Sequence, residues 1–340
     1  MNIVFDINHP AHINFFKNAI NKLNKDGHDV KIFGLNRGEI PAILFKEFPD
    51  NRIKIIGRHR NNFFSIIFEA NIFKFFSLLR LLIKRRPDVG VSVGSFVLGS
   101  CLKLLRVRNI QFHDDPERSQ NILLVKITAD EIHIPPIMKK SGKIFIYNAL
   151  KEWAYLSPQY FKPNQSVLAK YDVKPYQYFF IREVSPGSLN YLDQGSFTIA
   201  SFAQKLDPNI KILLSLEDKS KLSLYPGNWC LLQEPIDDIH SLLFFSRLVI
   251  SSGDSMAREG AMLGRPGIYC GKRKMKTNEI MIEKQILFQI APPLVPSFVN
   301  DIISSRVTIP DQMEFRRNLQ SEWDDVTSYI ISTIEKQIVN

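Results

Sequence analysis

The chain has 340 residues, 45% of them hydrophobic and 23% charged, with a formal net charge of +10. This length and mixture leave room for two domains with buried cores and exclude a disordered or low-complexity chain. Residues 51–86 hold nine Lys/Arg and one acid (Glu69), so most of the net charge is local and points to an anionic surface or ligand.

The opening MNIVFDINHPAH places Asp6 and two histidines where an apolar run would lie, so no signal peptide is expected. Cys101, Cys230 and Cys270 lie far apart without metal-ligand spacing, so a reduced, cytoplasmic setting without structural zinc is expected. NIVFDI (2–7) reads as a buried strand and HINFFKNAINKLNKDG (12–27) as a helix closed by Gly27. HDVKIFGL (28–35) is the next strand, then PDVGVSVG (87–94), then the helical GSCLKLLRV (99–107). NIQFHDD (109–115), ADEIHIPP (129–136) and KIFIYNAL (143–150) complete the first half. Such alternation predicts a parallel sheet covered by helices on both faces.

The stretch 156–178, with Pro158, Pro163 and Pro175, reads as a hinge. Alternation resumes with YFFIRE (178–183), a helix near SFTIASFAQKL (196–206), NIKILLSL (209–216) and NWCLLQ (228–233). An apolar run then stops at Ser251, Ser252 and Gly253, and GRPGIYCG (264–271) gives another strand. Residues 311–338 read as one long helix. The expected fold class is α/β, with two doubly wound Rossmann-like domains facing across a cleft. They would span 1–160 and 179–310, joined by a hinge at 161–178. A C-terminal helix at 311–340 would pack back toward the first domain.

SSGDSMAREGAMLGRP (251–266) is the most informative stretch. A Ser-Gly turn before a helix that begins near Ser255 exposes backbone N–H groups and the positive end of a dipole, which suits phosphate. Glu259 follows on the first turns, where a carboxylate can accept from a ribose diol. Ser252 or Ser255 acting as a plain helix cap is the structural alternative.

SSGDSMAREGAMLGRPGIY resembles the donor-site motif of GT-B glycosyltransferases, in which a Ser-Gly turn precedes a helix whose Glu grips the nucleotide ribose. DINHPAHINFFKNAI, LNKDGHDV, KRRPDVGVSVGS, QFHDDPERSQN, YNALKEWAYL and LLFFSRLVISSGDSMAREGAMLGRP together resemble the DUF354 family. The resemblance runs over residues 3–270 and implies the same two-domain fold. Asp254 departs from it, since that family usually has a small neutral residue there; an acid beside a diphosphate is unfavourable, so Asp254 is expected to point away or the phosphate to be held differently.

Other candidates sit at strand ends. Asn8, His9, Pro10 and His12 follow the first strand, and His12 or His9 would serve as a general base. Alternatively Asn8 caps the helix and His12 lies on its surface. His113, Asp114, Asp115 and Glu117 cluster after another strand, where carboxylates can share a proton or open a helix with Pro116. Gly94 and Ser95 form a small-residue turn suited to close ligand approach. Asn148 and Lys151 precede the hinge, and Lys151 would reach phosphate or pair on the surface. Arg182 matches an arginine of the DUF354 family and would contact diphosphate, or would be an exposed strand-end charge. GKRKMK (271–276) would border the cleft.

FFSIIFEANIFKFFSLLRLLIKRR (63–86) is too charged to span a bilayer. Its apolar face, bordered by basic residues, fits a segment lying on an anionic membrane; the alternative is a core helix or two. The patch lacks the polar readers of a nucleic-acid site.

The expectation is a metal-independent, cytoplasmic glycosyltransferase, peripheral at the inner face of the plasma membrane. It would need no cofactor, take a UDP-sugar as donor, and serve a glycan or lipid-linked acceptor. Ser252, Gly253, Asp254, Ser255, Glu259 and Arg182 would hold the donor, and His12, His9, Asp115 and Glu117 are the candidate bases. A nucleotide-sugar 2-epimerase of the same fold is the rival, although its Gly-Thr-Arg-Pro-Glu opening is absent. A non-catalytic scaffold of polysaccharide assembly is the third reading.

Overall fold

The computed structural model describes residues 1–58, 71–113, 119–185, 198–233, 236 and 238–338. The chain forms two compact units: Met1–Tyr160 with Glu322–Asn340, and Phe161–Ser321.

The first unit runs β1 (Asn2–Ile7), α1 (Pro10–Lys25), β2 (Asp29–Asn36), α2 (Ile40–Glu47), β3 (Arg52–Arg58), α3 (Lys74–Lys84) and β4 (Val89–Val93). It continues through α4 (Phe96–Leu104), β5 (Arg108–Phe112), α5 (Ser119–Thr128), β6 (Glu131–Ile134), β7 (Ile144–Ile146) and α6 (Trp153–Leu156). The seven strands are parallel in the order β3-β2-β1-β4-β5-β6-β7. The order reverses between β1 and β4, so the carboxyl ends of those two strands frame the switch point where ligands of such sheets bind.

Helix α1 shows how local chemistry sets these elements. His9, in extended backbone, caps it by accepting from Ala11 N, and Pro10 fills the first turn. Ile13, Phe16, Ile20 and Leu23 fall on one buried face, and Phe16 meets Phe5 of β1 at 5.1 Å. The expected cap Asn8 is used elsewhere.

Asn8 belongs to a buried polar network. Asp6 in β1 and Lys74 in α3 are both buried and joined at 2.7 Å. Asn8 Nδ2 donates to Asp6, and Asn8 Oδ1 accepts from Lys74 Nζ. Ser95 Oγ donates to Asp6 at 2.5 Å and accepts from Leu98 N, capping α4. Lys74, one of the nine basic residues of 51–86, is not open to an anionic partner, because it neutralises Asp6 inside the unit. A second buried ladder, Ser92–Gln111–Asn109–Thr128, bonds β4 and β5 to the end of α5.

The second unit opens with the proline- and tyrosine-rich stretch, which holds a 3-10 turn at Gln165–Tyr171. It then runs β8 (Tyr178–Glu183), β9 (Lys211–Leu216), β10 (Cys230–Leu231), α7 (Ile239–Phe244), β11 (Leu248–Ser251), α8 (Asp254–Met262) and β12 (Gly267–Tyr269). α9 (Lys276–Glu283), β13 (Leu287–Gln289), α10 (Val295–Ile303) and α11 (Gln312–Glu322) follow. Its six parallel strands take the order β10-β9-β8-β11-β12-β13, with the switch between β8 and β11. Gly260 lets α8 lie directly on β11, since a β-carbon there would meet Val249 at 2.7 Å. The helix expected near 196–206 is absent from the described residues 198–206, which form turns and a 3-10 turn at Ala203–Lys205.

The single closing helix expected at 311–340 is two. α11 ends at Glu322, and α12 (Val326–Glu335) starts at Asp325, whose carboxylate accepts from Ser328 N. α12 packs on α1 and α6 of the first unit. Thr327 donates to Ala154 O, and Tyr329 Oη lies 2.8 Å from His133 Nδ1. Among the described residues no helix is long and apolar enough to cross a membrane.

Two outcomes follow from these buried charges. Lys74→Met strands the Asp6 carboxylate and should lower stability by about 3–5 kcal/mol. Urea denaturation should show Asp6→Asn recovering part of that loss in the double variant; simply additive losses would refute the pairing. Glu131 is bonded by His133 and, against the opposing effect of burial, by Arg108, which hold its carboxyl near 2 rather than 4.5. A depressed carboxyl contributes stability above its unfolded value and loses it as pH falls from 4.5 toward 2. Glu131→Gln should flatten that acid limb in melts taken across this range.

Candidate functional site

In the first unit, three loops meet at the carboxyl edge of adjacent strands. Asn8, His9 and Pro10 follow β1, Gly94 and Ser95 follow β4, and His113 follows β5. His12, His113 and Lys151 line one narrow crevice with Phe15, Phe112 and Tyr147, closed to a water molecule in this conformation. Gly94 takes φ +61, which favours glycine, and its missing β-carbon would stand 3.8–3.9 Å from the His113 ring. His113 is buried, and its N–H donates to His133 O. The His9 and His12 rings lie 5.7 Å apart.

Other residues take structural duties here. His9 Nδ1 caps α1, so that nitrogen presents a lone pair to the backbone. Asn8 and Ser95 are held by Asp6. Asn148 is exposed and ties the chain entering α12, through its N–H to Asp324 and its side chain to Glu322 O. Asp114, Asp115 and Glu117 lie outside the described residues, as do residues 59–70.

In the second unit, the turn after β11 stands at the switch point beside the end of β8. Helix α8 starts at Asp254, one residue before the expected Ser255, with Gly253 as its cap residue and no side-chain cap. The positive end of its dipole therefore lies at this turn with no side chain capping it. Ser251 Oγ accepts from Gly253 N at 3.0 Å and fixes the turn. Ser252 is fully buried, and its Oγ accepts from Val184 N, tying the turn to β8.

Asp254 is buried and its carboxylate faces Arg258 at 3.8 Å and Arg273 at 3.9 Å. Arg258 in turn donates to Asn278 Oδ1 on α9 at 2.7 Å. The acid expected to oppose a diphosphate thus stands between two guanidinium groups. Glu259 is buried on the sixth position of α8, with His240 Nε2 at 3.4 Å from Oε2. Arg182 donates to Ser215 Oγ and Glu217 Oε1, both at 2.6 Å.

Sequence reasoning passed over Glu183, the last residue of β8. It is buried and accepts from Ile199 N at 2.6 Å and from Tyr225 Oη at 3.1 Å. Burial pushes its carboxyl above the usual range, against the hydrogen bonds that favour the charged form. His240 was also missed, since its partner Glu259 lies 19 residues away and no local pattern marks it. Arg273 falls in the basic run 271–276, but its approach to Asp254 is a tertiary feature that the run does not announce. Among the described residues no cluster of three or more His, Cys, Asp or Glu is placed to hold a metal ion.

The fold has known counterparts. The UDP-GlcNAc 2-epimerase of Methanocaldococcus jannaschii, solved with UDP-GlcNAc and UDP, is 14% identical with a TM-score of 0.70, covering 99% of each chain. The glycosyltransferase VinC, solved with dTDP, is 11% identical with a TM-score of 0.68 over 100% of each chain. MurG of Acinetobacter baumannii is 14% identical with a TM-score of 0.58, covering 99% of this chain and 100% of its own. At these identities the likeness is one of fold, and the fold is that of GT-B glycosyltransferases and 2-epimerases. In sequence, the uncharacterised protein MJ0665 of M. jannaschii is 23% identical over 299 residues, 84% of this chain and 86% of the relative. Residues 1–338 match the family described as "Protein of unknown function (DUF354)", and the chain belongs to that family.

Proposed function

We propose that the protein is a GT-B glycosyltransferase. It would move a sugar from a nucleotide-diphosphate donor, UDP-linked by preference, to a glycan or lipid-linked acceptor in cell-surface polysaccharide or glycolipid synthesis. The observation that carries this reading is the helix α8, which opens at the β8/β11 switch point without a side-chain cap and holds Glu259 on its sixth position.

The N–H groups at Asp254 and Ser255 would take the diphosphate, and Gly253 lets it approach closely. Glu259, backed by His240, would accept hydrogen bonds from the ribose diol. Asp254 contributes no net repulsion because Arg258 and Arg273 flank it. The helix dipole and Arg182 would stabilise the departing diphosphate, a task that needs no metal ion.

In the first unit, His12 is the favoured base over His9, because capping α1 occupies the lone pair that His9 would need. The base would take the acceptor hydroxyl proton as oxygen attacks the anomeric carbon and the diphosphate leaves. Lys151 and His113, at the edge of the same crevice, would orient the acceptor outside it. Asp115 and Glu117 stay as candidate bases that fall outside the described residues.

The rival is a 2-epimerase, supported by the fold of the M. jannaschii enzyme. That chemistry asks for carboxylates near the sugar, and Asp114, Asp115 and Glu117, which lie outside the described residues, are its candidates. Incubation with UDP-N-acetylglucosamine alone separates the two, since an epimerase yields a new isomer without any acceptor.

Calorimetry with UDP-sugars should show Glu259→Ala binding about 10- to 100-fold more weakly, the worth of a hydrogen bond to a charged group. Unchanged affinity would remove the donor site. His12→Asn should cut acceptor-dependent turnover about 100-fold or more while leaving donor affinity intact. His9→Asn, which keeps a capping side chain, should have little effect; the reverse ranking would make His9 the base.

A further inference from the structure

Right-handed crossovers place α1 and α2 on one face of the first unit's sheet and α3, α4 and α5 on the other. α12 covers the first face by packing on α1 and α6. On the second face α3 packs on α4 and α4 on α5, making one continuous layer.

That layer has two properties together. First, it exposes large apolar side chains: Ile72, Phe73, Phe76 and Ile83 in and just before α3. Phe96 and Leu104 of α4 and Leu123, Leu124 and Ile127 of α5 add to them. Phe73, Phe76, Ile83, Leu104 and Leu123 are each 60% exposed or more. Second, none of the three helices contains an acid, whereas Arg80, Lys84, Lys103 and Lys126 are exposed on them. The core-facing side of α3 is ordinary, with Leu78 and Leu82 buried. The helix therefore packs on the sheet with one side and leaves an apolar, basic side outward.

At the carboxyl ends of α4 and α5 the layer borders a groove of about 310 Å³. Lys103, Arg106, Arg108 and Lys143 line it, with Asp130 as its acid. With Arg108 paired to Glu131, Lys103, Arg106 and Lys143 still outweigh Asp130, and such a basic groove suits a phosphate group.

We propose that the α3–α4–α5 face docks the protein on an anionic lipid bilayer, with apolar side chains entering the interface and the groove taking a lipid phosphate. A nucleic acid would leave the exposed phenylalanines and leucines in water. A second copy would set the same uncharged-or-positive surface against itself, since a two-fold interface pairs like with like. An anionic bilayer satisfies both features at once. This goes beyond the donor-site reading and does not depend on it.

The test is co-sedimentation of the full chain with phosphatidylcholine vesicles, with and without phosphatidylglycerol. Binding should require phosphatidylglycerol and fall as salt rises. Phe76→Glu combined with Ile83→Glu should weaken it about 100-fold, and Arg80→Glu with Lys84→Glu at least about tenfold. These positions are exposed, so thermal melts should stay unchanged, and Met313→Glu on α11 should bind as the parent does. Equal binding to both vesicle types, or no binding, overturns the proposal. So does a homodimer in free solution that the α3 variants dissolve. The readout uses no sugar nucleotide, so loss of the donor-site reading would leave it intact.

Discussion

The first unit depends on one buried ion pair. Asp6 and Lys74 are taken from water at the carboxyl end of the central strand, and each desolvated charge costs several kcal/mol. Coulomb attraction offsets this only with full hydrogen bonding, which Asn8 and Ser95 supply. The consequence is positional. One carboxylate fixes the loop after β1, the cap of α4 after β4, and the start of α3, so both sides of the switch point are locked together. Burial, then the Asp6 charge, pushes the nearby Cys101 thiol up to about 12, and the cysteine behaves as a small apolar side chain.

The second unit solves the same problem with Glu183. Its carboxylate gathers the amides at 199 and 200 and the Tyr225 hydroxyl at the end of β8. Ser252, from the turn after β11, accepts from the neighbouring Val184 amide. In each unit a buried carboxylate on the central strand organises the loops of the two switch strands, and the candidate functional groups sit just outside it. Rigid backing of this kind holds a binding turn in place at little cost to the groups that must meet a ligand.

The two candidate edges differ in chemistry. The described edge of the first holds imidazoles and an amine, which move or attract protons near neutrality. The edge of the second holds an uncapped helix start and guanidinium groups, which suit a fixed anion.

Much of this was legible in the sequence wherever the signal is local. Alternating apolar segments marked both sheets, and the Ser-Gly turn before α8 stood out because a buried strand stops there and a helix with Glu259 on its first turns begins at once. The cap at Asp325 that splits the closing helix was also written locally, in Asp-Val-Thr-Ser, but the surrounding helical periodicity masked it. β3, whose sequence RIKIIGR mixes charge into the strand, and the three-residue β13 carry too little pattern to read alone. The tertiary structure alone decided that Lys74 turns inward while Phe76 turns outward, that Asp254 sits between two arginines, and that Asn148 ties the chain entering α12. Hydrophobic periodicity is a property of neighbours along the chain, whereas a buried charge is explained only by a partner that folding brings from 68 residues away.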